Sequence, residues 1–406
     1  MFRRFQSKKL VEKCSLSLSY IRQTIIDASE KVGDNQIAWG QFLDYERSTG
    51  QIGVYGTATA IKTLALLDEP AASDYISHGI NWLIDSYSDH ESIANRKMDW
   101  GVVYKHCYFL ESLAPHDSEI NTDSRFSDHF QTLIDRKLPD NGWGEYYYSP
   151  EYKSSNYSVV ATAMALFALR RYIPFSKSQQ GKAASSWFCK KLISTTNLSK
   201  VKLALSIIAL SEYSQVHDSV SKIFPQLVDR LEQKVKKLGR VSNLSEFPHH
   251  FTVPHEEAEK NRNRYIFLPI NALVAYSLLI TNRYQTAKDY IDRTVDMYQD
   301  SISVNKAYCN AEESPRQSTV NQFWVTLLLK EYLKIRPVGK IESACLKLKS
   351  RPRLYKISLA LITIVIFVIT YFLLKYFQKN PNLSFISLLL FFGVDRILPL
   401  IWKSKR

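Results

Sequence analysis

Residues 139–169 read PDNGWGEYYYSPEYKSSNYSVVATAMALFAL, and this stretch decides the fold. Its first half combines glycine, tryptophan, carboxylates and several tyrosines, which is typical of a loop. Its second half is apolar on nearly every side, which is typical of a helix that is buried on all faces. The sequence therefore predicts a polar, aromatic loop at the mouth of a fully buried helix.

The chain contains further copies of this helix. TATAIKTLAL, residues 57–66, aligns with VATAMALFAL, residues 160–169, and five of the ten positions are identical. With helix starts at Val54 and Ser158, related small and apolar segments begin near Gly101, Val201, Tyr265 and Ser318. The spacings of 43 to 64 residues fit helical hairpins joined by long loops. We therefore predict six inner helices.

Amphipathic segments alternate with the inner helices. They carry apolar residues at helical spacing with charges opposite, which is typical of half-exposed outer helices. They cover residues 9–31, 71–88, 124–136, 179–193, 220–237 and 283–299. Six outer and six inner helices predict an all-α fold, an (α/α)6 toroid within residues 1–336. Long polar loops would then converge on one rim, where loops of this length are usually functional or disordered.

The stretch 139–169 resembles the QW-type repeat of squalene-hopene cyclases and related class II terpene cyclases. In that family a Gly-Trp-Gly-Glu loop leads through a Ser/Thr-rich segment into a TA-x-A-L-x-A-L helix. GQIGVYGTATAIKTLALL, residues 50–67, is similar to another copy. Protein prenyltransferase β subunits share the same toroid. The resemblance implies the toroid fold for residues 1 to about 336 and does not extend to the C-terminal segments.

The catalytic groups of these families are not matched. Class II cyclases protonate an alkene or epoxide with a DxDDTA motif. In the best-matching segment, GVYGTA, glycine and tyrosine occupy the acid positions Gly53, Tyr55 and Gly56. The prenyltransferase resemblance would imply Asp, Cys and His ligands of a catalytic zinc, and no Asp-x-Cys with a downstream His occurs. Neither mechanism carries over, so whether the chain is an enzyme stays open.

The net charge of +14 is concentrated at the two ends of the chain. Residues 337–406 contain 12 Lys/Arg and 2 Asp/Glu, residues 1–13 contain 5 and 1, and the body between them is neutral. Basic ends on a neutral body favour a lipid bilayer over nucleic acid as the partner. The five cysteines are widely scattered, which indicates a reducing cytosolic compartment.

The C-terminal part predicts a membrane anchor. Residues 357–374, ISLALITIVIFVITYFLL, are 18 residues without a charge, and a span needs about 20. We predict a basic linker at 337–354 and two transmembrane helices at 355–377 and 383–402; an interfacial helix is the alternative for the second. Basic residues before the first helix and after the second predict a toroid on the cytoplasmic side of the inner membrane.

Asp395 and Arg396 interrupt the second predicted span. Charges inside a membrane are costly unless they pair, face protein or lie near an interface. The pair indicates either a functional contact, such as a pore or a homo-oligomer formed through the membrane helices, or a tolerated pair near the inner interface.

The loops before the inner helices supply candidate ligand contacts. Aromatic rings would line an apolar cavity, and carboxylates would fix one polar group of the ligand. The cavity candidates are Trp100, Asp140, Trp143, Tyr146 and Tyr148, and the candidate acids include Asp99 and Glu145. The resemblance implies instead that Trp143 and Glu145 brace neighbouring helices, which leaves the tyrosines as the better cavity candidates.

A second loop, EFPHHFTVPHEEAEKNRNR at 246–264, gathers histidines and carboxylates. His249, His250 and His255 are further cavity candidates, and Glu256 is a third candidate acid. His249, His255 and Glu257 could hold a divalent metal. Their spacing matches no known metal-binding helix, so a solvated polar loop is the alternative, and the sequence identifies no cofactor.

Three functions fit these patterns. The first is a membrane-anchored binding or sensing module for an isoprenoid or other small ligand, with a layout similar to bacterial anti-phage defence effectors. The second is a membrane-bound enzyme that acts on isoprenoid or terpenoid lipids by a non-DxDD mechanism. The third is a glycosidase-like barrel, which needs two carboxylates about 5–10 Å apart. The missing family acids favour the first.

Overall fold

The computed structural model describes residues 8–40, 43, 52–67, 72–88, 102–116, 120, 122–145, 156–237, 249–251, 264–266, 270–288, 290–292, 294–295 and 318–334. All of them belong to one compact unit, Gln6–Arg336. The predicted spans at 355–377 and 383–402, with Asp395 and Arg396, lie outside the described residues. Among the helices within those ranges, none is both long and apolar enough to cross a membrane.

Six helices form a closed inner ring. Each contacts the next in chain order, and the last contacts the first. Their small and apolar residues are buried over nearly the whole length, which is why they have no solvent-facing side. The inner helices are α2 (Val54–Leu67), α4 (Val103–Ser112), α6 (Val159–Leu169), α8 (Lys200–Leu210), α10 (Ile270–Ile280) and α11 (Thr319–Leu333).

The outer helices pack around this ring with one apolar face inward. They are α1 (Lys8–Asp27), α3 (Ser73–Ser88), α5 (Ser124–Asp135), α7 (Gln179–Ser194) and α9 (Phe224–Lys237). Helical residues between 284 and 295 occupy the sequence position of the sixth. The helical toroid is therefore present, and the alternation of inner and outer helices follows the predicted order.

Within the described ranges, two short hairpins depart from the predicted all-α fold. β1 (Glu30–Gly33) pairs with β2 (Gln36–Ala38), so the first outer helix ends at Asp27 rather than at residue 31. β3 (His249–Phe251) pairs with β4 (Arg264–Ile266), and the fifth inner helix starts at Ile270 rather than near Tyr265. Apolar alternation in such short segments does not separate a strand from a helix end.

The predicted outer helix at 220–237 is divided. A short turn, Asp218–Ser221, precedes α9, which begins at Phe224. Pro225 lies in the first turn of α9, where its missing N–H costs nothing because that group has no partner within the helix. The proline therefore fixes the start of the helix that the amphipathic pattern placed four residues earlier.

Two tryptophan–threonine pairs repeat in the ring. Thr57 Oγ1 accepts a hydrogen bond from Trp39 N at 3.0 Å, and Thr162 Oγ1 accepts one from Trp143 N at 3.0 Å. Each indole N–H donates to a carbonyl of the preceding outer helix, at 2.7 Å for Trp39 to Ile25 and 2.8 Å for Trp143 to Leu133. Each tryptophan thus joins an inner helix to an outer one.

These pairs correct the alignment of the two copies. Counted from the helix starts, Thr57 and Thr162 are both fourth residues, whereas the identity match pairs Thr59 with Thr162. The identity match is therefore wrong by two residues. Alanine and leucine in a fully buried helix match at several offsets, and only the polar contact to the tryptophan backbone sets the true register.

Candidate functional site

The interior of the inner ring carries a cluster of buried aromatic side chains. Tyr55 of α2 lies edge-on to Tyr104 and Tyr108 of α4, with ring centroids 5.6 and 5.1 Å apart. Tyr108 in turn lies edge-on to Phe323 of α11 at 5.8 Å. Edge-to-face pairs of this kind are favourable beyond the area they bury. Three inner helices therefore present aromatic surface to each other.

Hydrogen bonds connect the polar ends of these rings. The indole N–H of Trp324 donates to the Tyr108 hydroxyl at 2.9 Å, and Tyr55 also hydrogen-bonds Tyr108. Burial raises the pKa of both tyrosines, so both hydroxyls stay neutral at physiological pH. The cluster satisfies its own polar groups and offers mainly ring surface to anything beside it.

One contact crosses the ring from side to side. The rings of Phe167 on α6 and Trp324 on α11 are 5.6 Å apart, and these helices are third and sixth in the ring of six. Helices so placed lie opposite each other. At this level the interior is occupied by side chains.

A buried ion cluster lies beside the aromatic cluster. Glu111 of α4 has no solvent exposure; it pairs with Lys62 Nζ of α2 at 3.3 Å and with the guanidinium of Arg170, just after α6. Arg170 Nε also donates to Glu212, just after α8, at 2.8 Å. The four residues come from the C-terminal halves or ends of four successive inner helices. Those helix ends therefore lie at the same end of the ring.

The charges decide the protonation state of the buried acid. Burial alone would raise the pKa of Glu111, but Arg170 and Lys62 outweigh it and lower that pKa to about 2. Burial lowers the pKa of Lys62 to about 8, against the opposing effect of Glu111. Glu111 is therefore an ionised carboxylate at neutral pH and holds no proton to donate.

The two arginines also bind backbone carbonyls. Arg171 Nη1 donates to the carbonyls of Leu110 and Glu111, at 3.0 and 3.2 Å. Arg170 donates to the carbonyl of Phe167 and lies 3.8 Å over its ring. Cations near a helix C-terminus satisfy its free carbonyls and its dipole. Arg170 thus connects the ion cluster to the aromatic contact that crosses the ring.

Three of the predicted site residues in the first loop are described, and all three make local contacts. Trp143 is fully buried and stacks edge-on against Phe175, besides its bonds to Thr162 and Leu133. Glu145 accepts from the Ser158 hydroxyl at 2.8 Å, and Ser158 caps the start of α6. Asp140 is exposed and accepts from Gly142 N at 3.1 Å. These are the contacts of residues that brace a loop on a helix.

The other predicted site residues are not brought together by the described part of the chain. His249 and His250 lie in β3, where their backbones pair with Ile266 and Tyr265. The candidates Asp99, Trp100, Tyr146, Tyr148, His255, Glu256 and Glu257 lie outside the described residues. Within the ranges that are described, no group of three His, Cys, Asp or Glu side chains is placed to hold a metal ion.

The central clusters were not among the residues singled out from the sequence. Tyr104, Tyr108 and Glu111 follow at spacings of four and three, which places them on one face of α4. Tyr55 and Lys62, seven residues apart, share a face of α2 in the same way. Lys62, the one charged residue of the otherwise uncharged α2, was the available signal. Its partner could not be identified, because ring closure brings together residues that are far apart in the chain.

No family model matches the sequence, and no curated protein matches it either. Among solved structures, the chain is similar to a variant of a type II terpene cyclase from Scytonema in complex with its substrate geranylgeranyl dihydroxybenzoate. The TM-score is 0.51 at 12% identity, over 81% of this chain and 100% of that one. At this identity the likeness shows the toroid fold alone.

Two further structures resemble the chain to a similar extent. Another variant of the same cyclase with the same substrate has a TM-score of 0.49 at 12% identity, over 81% of this chain and 99% of that one. A family 76 glycoside hydrolase from a bovine Bacteroides thetaiotaomicron strain has a TM-score of 0.48 at 10% identity, over 80% of this chain and 77% of that one.

Proposed function

We propose that the chain is a membrane-anchored binding module whose toroid recognises an apolar, isoprenoid-like ligand without protonating it. One observation carries the second half of this proposal. Glu111, the acid buried beside the aromatic cluster, is held ionised by Lys62 and Arg170. A proton-initiated cyclisation needs a protonated, strongly acidic carboxyl group, and Glu111 has the opposite state.

The aromatic interior supports the ligand class. Tyr55, Tyr104 and Phe323 present ring faces and edges in a buried setting, which suits an apolar chain better than a sugar or a nucleotide. The Scytonema cyclase, which shares the fold, was solved with a ligand that joins a geranylgeranyl chain to a polar ring. An isoprenoid with one polar end is therefore the ligand class we assign to this chain.

The distribution of contacts supports binding at the N-terminal ends of the inner helices. Tyr55 and Tyr104 lie in the first turns of α2 and α4. Trp324 and Phe167 cross the ring deeper inside, and the ion cluster around Glu111 lies at the C-terminal helix ends. A ligand that enters between the first turns would contact Tyr55 and Tyr104 before it reached the charged residues around Glu111.

Membrane attachment is the part of the proposal that rests on the sequence. The uncharged run 357–374 and its basic flanks are the basis on which we propose a membrane hairpin at 355–402, with the toroid on the cytoplasmic side of the inner membrane. Ligand binding would then act on the membrane helices, by homo-oligomerisation or opening around Asp395 and Arg396. A bacterial anti-phage effector is the biological setting that this layout fits.

A membrane-bound enzyme on isoprenoid lipids is the second candidate, and the shared fold with the Scytonema cyclase favours it. Such an enzyme needs a carboxylic acid that can donate a proton, whereas Glu111 is held ionised by Lys62 and Arg170. Asp99 and Glu256, in the loops before inner helices, are the residues that could supply one. The two candidates differ in one observable outcome, because an enzyme converts its ligand and a binding module returns it unchanged.

The test is a titration of the full chain in detergent with geranylgeraniol, followed by tryptophan fluorescence because Trp324 lies in the aromatic cluster. Geranylgeranyl dihydroxybenzoate is incubated in parallel and recovered for chromatography. We expect saturable binding of geranylgeraniol and recovery of unaltered geranylgeranyl dihydroxybenzoate. Y104A should weaken binding about 10- to 100-fold, from the loss of one buried ring. Y75A, on the outer helix α3, is the matched control.

Conversion of geranylgeranyl dihydroxybenzoate to a product with a new retention time would assign the chain to the enzyme candidate. Absence of binding to geranylgeraniol and to the dihydroxybenzoate would contradict the ligand class. Equal binding by the wild type, Y104A and Y75A would contradict the placement of the ligand at the first turns of α2 and α4.

A further inference from the structure

The charge of the toroid is divided between two sectors. Residues 152–211 form a stretch of 60 residues with nine Lys/Arg and no Asp or Glu. Residues 54–135 contain thirteen Asp/Glu and five Lys/Arg. The body has no net charge as a whole, but residues 152–211 are strongly basic. The outer helix of this basic sector is α7.

Six exposed side chains of this sector define what we call the basic strip. It consists of four lysines and two isoleucines along α7 and the turn before it: Ile173, Lys177, Lys182, Lys190, Lys191 and Ile193. The lysines are all exposed, and Ile173 and Ile193 are 49% and 37% exposed. Lys182, Lys190 and Ile193 are eight and three residues apart, which places them on one side of the helix.

The lysines of the basic strip lack the ion pairs that basic residues make elsewhere on the surface. Lys236 of α9 pairs with Glu232 at 2.9 Å, and Arg283 pairs with Asp229 of α9 at 2.5 Å. Lys177, Lys182 and Lys190 make no ion pair with any residue of the described ranges, and Lys191 lies 5.5 Å over the Tyr157 ring. As far as the described part of the chain extends, the strip is therefore a positive surface without ion-pair partners.

We propose that the basic strip is a contact surface for anionic phospholipid headgroups. Lysines around exposed isoleucines suit a bilayer surface, because the charges attract anionic headgroups while the apolar side chains enter the boundary between headgroups and acyl chains. Nucleic acid fits less well. The arginines of the sector, Arg170 and Arg171, bind within the fold, so the exposed cations are all lysines, which lack the bidentate geometry for phosphate.

This inference goes beyond the proposed ligand site, because it concerns the outside of the toroid, and it rests on the proposed membrane attachment for its choice of partner. A second copy of the chain, with its acidic sector against the strip, is the competing occupant. An exposed carboxylate on α7 would repel the headgroups, and α7 contains no Asp or Glu.

The test reconstitutes the full chain in nanodiscs of phosphatidylcholine alone or of an equal mixture with phosphatidylglycerol. Exposed amines are acetylated briefly and the modified lysines are located by mass spectrometry. We expect Lys182 and Lys190 to react several-fold more slowly in the anionic discs, with the difference removed by high salt. Lys31 and Lys222, exposed outside the strip, are the internal controls and should react equally in both discs.

Equal reactivity of Lys182 and Lys190 in the two discs would overturn the inference. Protection that rises with protein concentration in detergent alone would assign the strip to a second copy and would overturn it as well. A chain that purifies without detergent and does not enter discs would contradict the proposed anchor instead. The strip is then tested by flotation with vesicles of the same two compositions.

In the flotation test, Lys182→Gln with Lys190→Gln should bind anionic vesicles roughly 30-fold more weakly than the wild type. Lys31→Gln with Lys222→Gln removes the same charge outside the strip and should bind like the wild type. All four residues are exposed, so both double variants should keep the thermal stability of the parent. Equal binding by the two double variants would overturn the inference.

Discussion

Trp324 and Tyr108 hydrogen-bond inside the inner ring, with the indole N–H donating to the hydroxyl at 2.9 Å. The two residues belong to the sixth and second inner helices, which are not neighbours in the ring. The bond therefore spans the helix between them, α2, which adds Tyr55 to the same hydroxyl. One tyrosine oxygen connects three inner helices, and the first prediction concerns its removal.

Tyr108→Phe should destabilise the toroid by about 1–3 kcal/mol. The substitution keeps the ring contacts but leaves the buried indole N–H of Trp324 without its acceptor. The measurement is chemical unfolding of the full chain in detergent. Tyr172→Phe is the control, because Tyr172 stacks on Phe130 through its ring and should lose little. Equal stabilities of the two variants would contradict the role of the Tyr108 hydroxyl.

Thr162→Val should lower the free energy of unfolding by about 1–3 kcal/mol. The substitution removes the hydroxyl that both accepts a hydrogen bond from Trp143 N and donates one to Trp143 O. Thr57→Val should cost a similar amount, since Thr57 makes the same two bonds to Trp39. Thr63→Val is the control: among the described residues, its hydroxyl bonds only the Thr59 carbonyl of its own helix. If Thr63→Val were as costly as the other two, the repeated pairs would not be anchors.

Glu111→Gln should destabilise the toroid by about 3–5 kcal/mol, because Lys62 then stays buried without a countercharge and Arg170 keeps only its ion pair with the exposed Glu212 among the described residues. Adding Lys62→Met should restore part of the loss, because it removes the buried cation that lost its ion pair with Glu111. Thermal unfolding of the single and double variants gives the comparison. A double variant less stable than Glu111→Gln alone would show that Lys62 is not held by Glu111.

His129 should make the toroid less stable as the pH falls from 6.5 to about 4. Its ring lies between Tyr87 and Phe109, and burial lowers its pKa to about 4, against a weaker effect of Asp128. In this pH range the unfolded chain binds a proton that the folded chain excludes, so stability declines by up to about 3 kcal/mol.

His129→Phe should flatten the decline between pH 6.5 and 4, measured by chemical unfolding at several pH values. His78→Phe, at a partly exposed position on α3, should leave the decline unchanged. An unaltered pH dependence in His129→Phe would contradict the assignment of this proton to His129.

The inner helices could be predicted because a helix that is buried on all sides has a distinctive composition. A helix that faces other helices on every side needs small and apolar residues throughout, as from Ala161 to Leu169. The ends were harder. The chain before Ile270 forms a strand, and the proline at 225 starts a helix that the amphipathic pattern began earlier. Short local signals decide such ends, and the hydrophobic period does not.

The centre of the toroid could not be predicted, because its contacts join distant parts of the chain. Glu111 lies 49 residues after Lys62 and 59 residues before Arg170, and no local spacing marks the three as partners. Trp143 shows the opposite case. Its hydrogen bonds run to Thr162 and Leu133, within twenty residues, and the loop motif that contains it indicated the fold directly.

Native mass spectrometry is the most direct test of whether the toroid binds an apolar ligand without converting it. The full chain is extracted from its membranes in detergent and transferred intact to the gas phase. We predict a bound, isoprenoid-sized apolar molecule that organic solvent releases, and that the Y104A variant retains to a much smaller extent. An apo mass alone for the wild type, or a released molecule that is a cyclised product of an added linear isoprenoid, would contradict it.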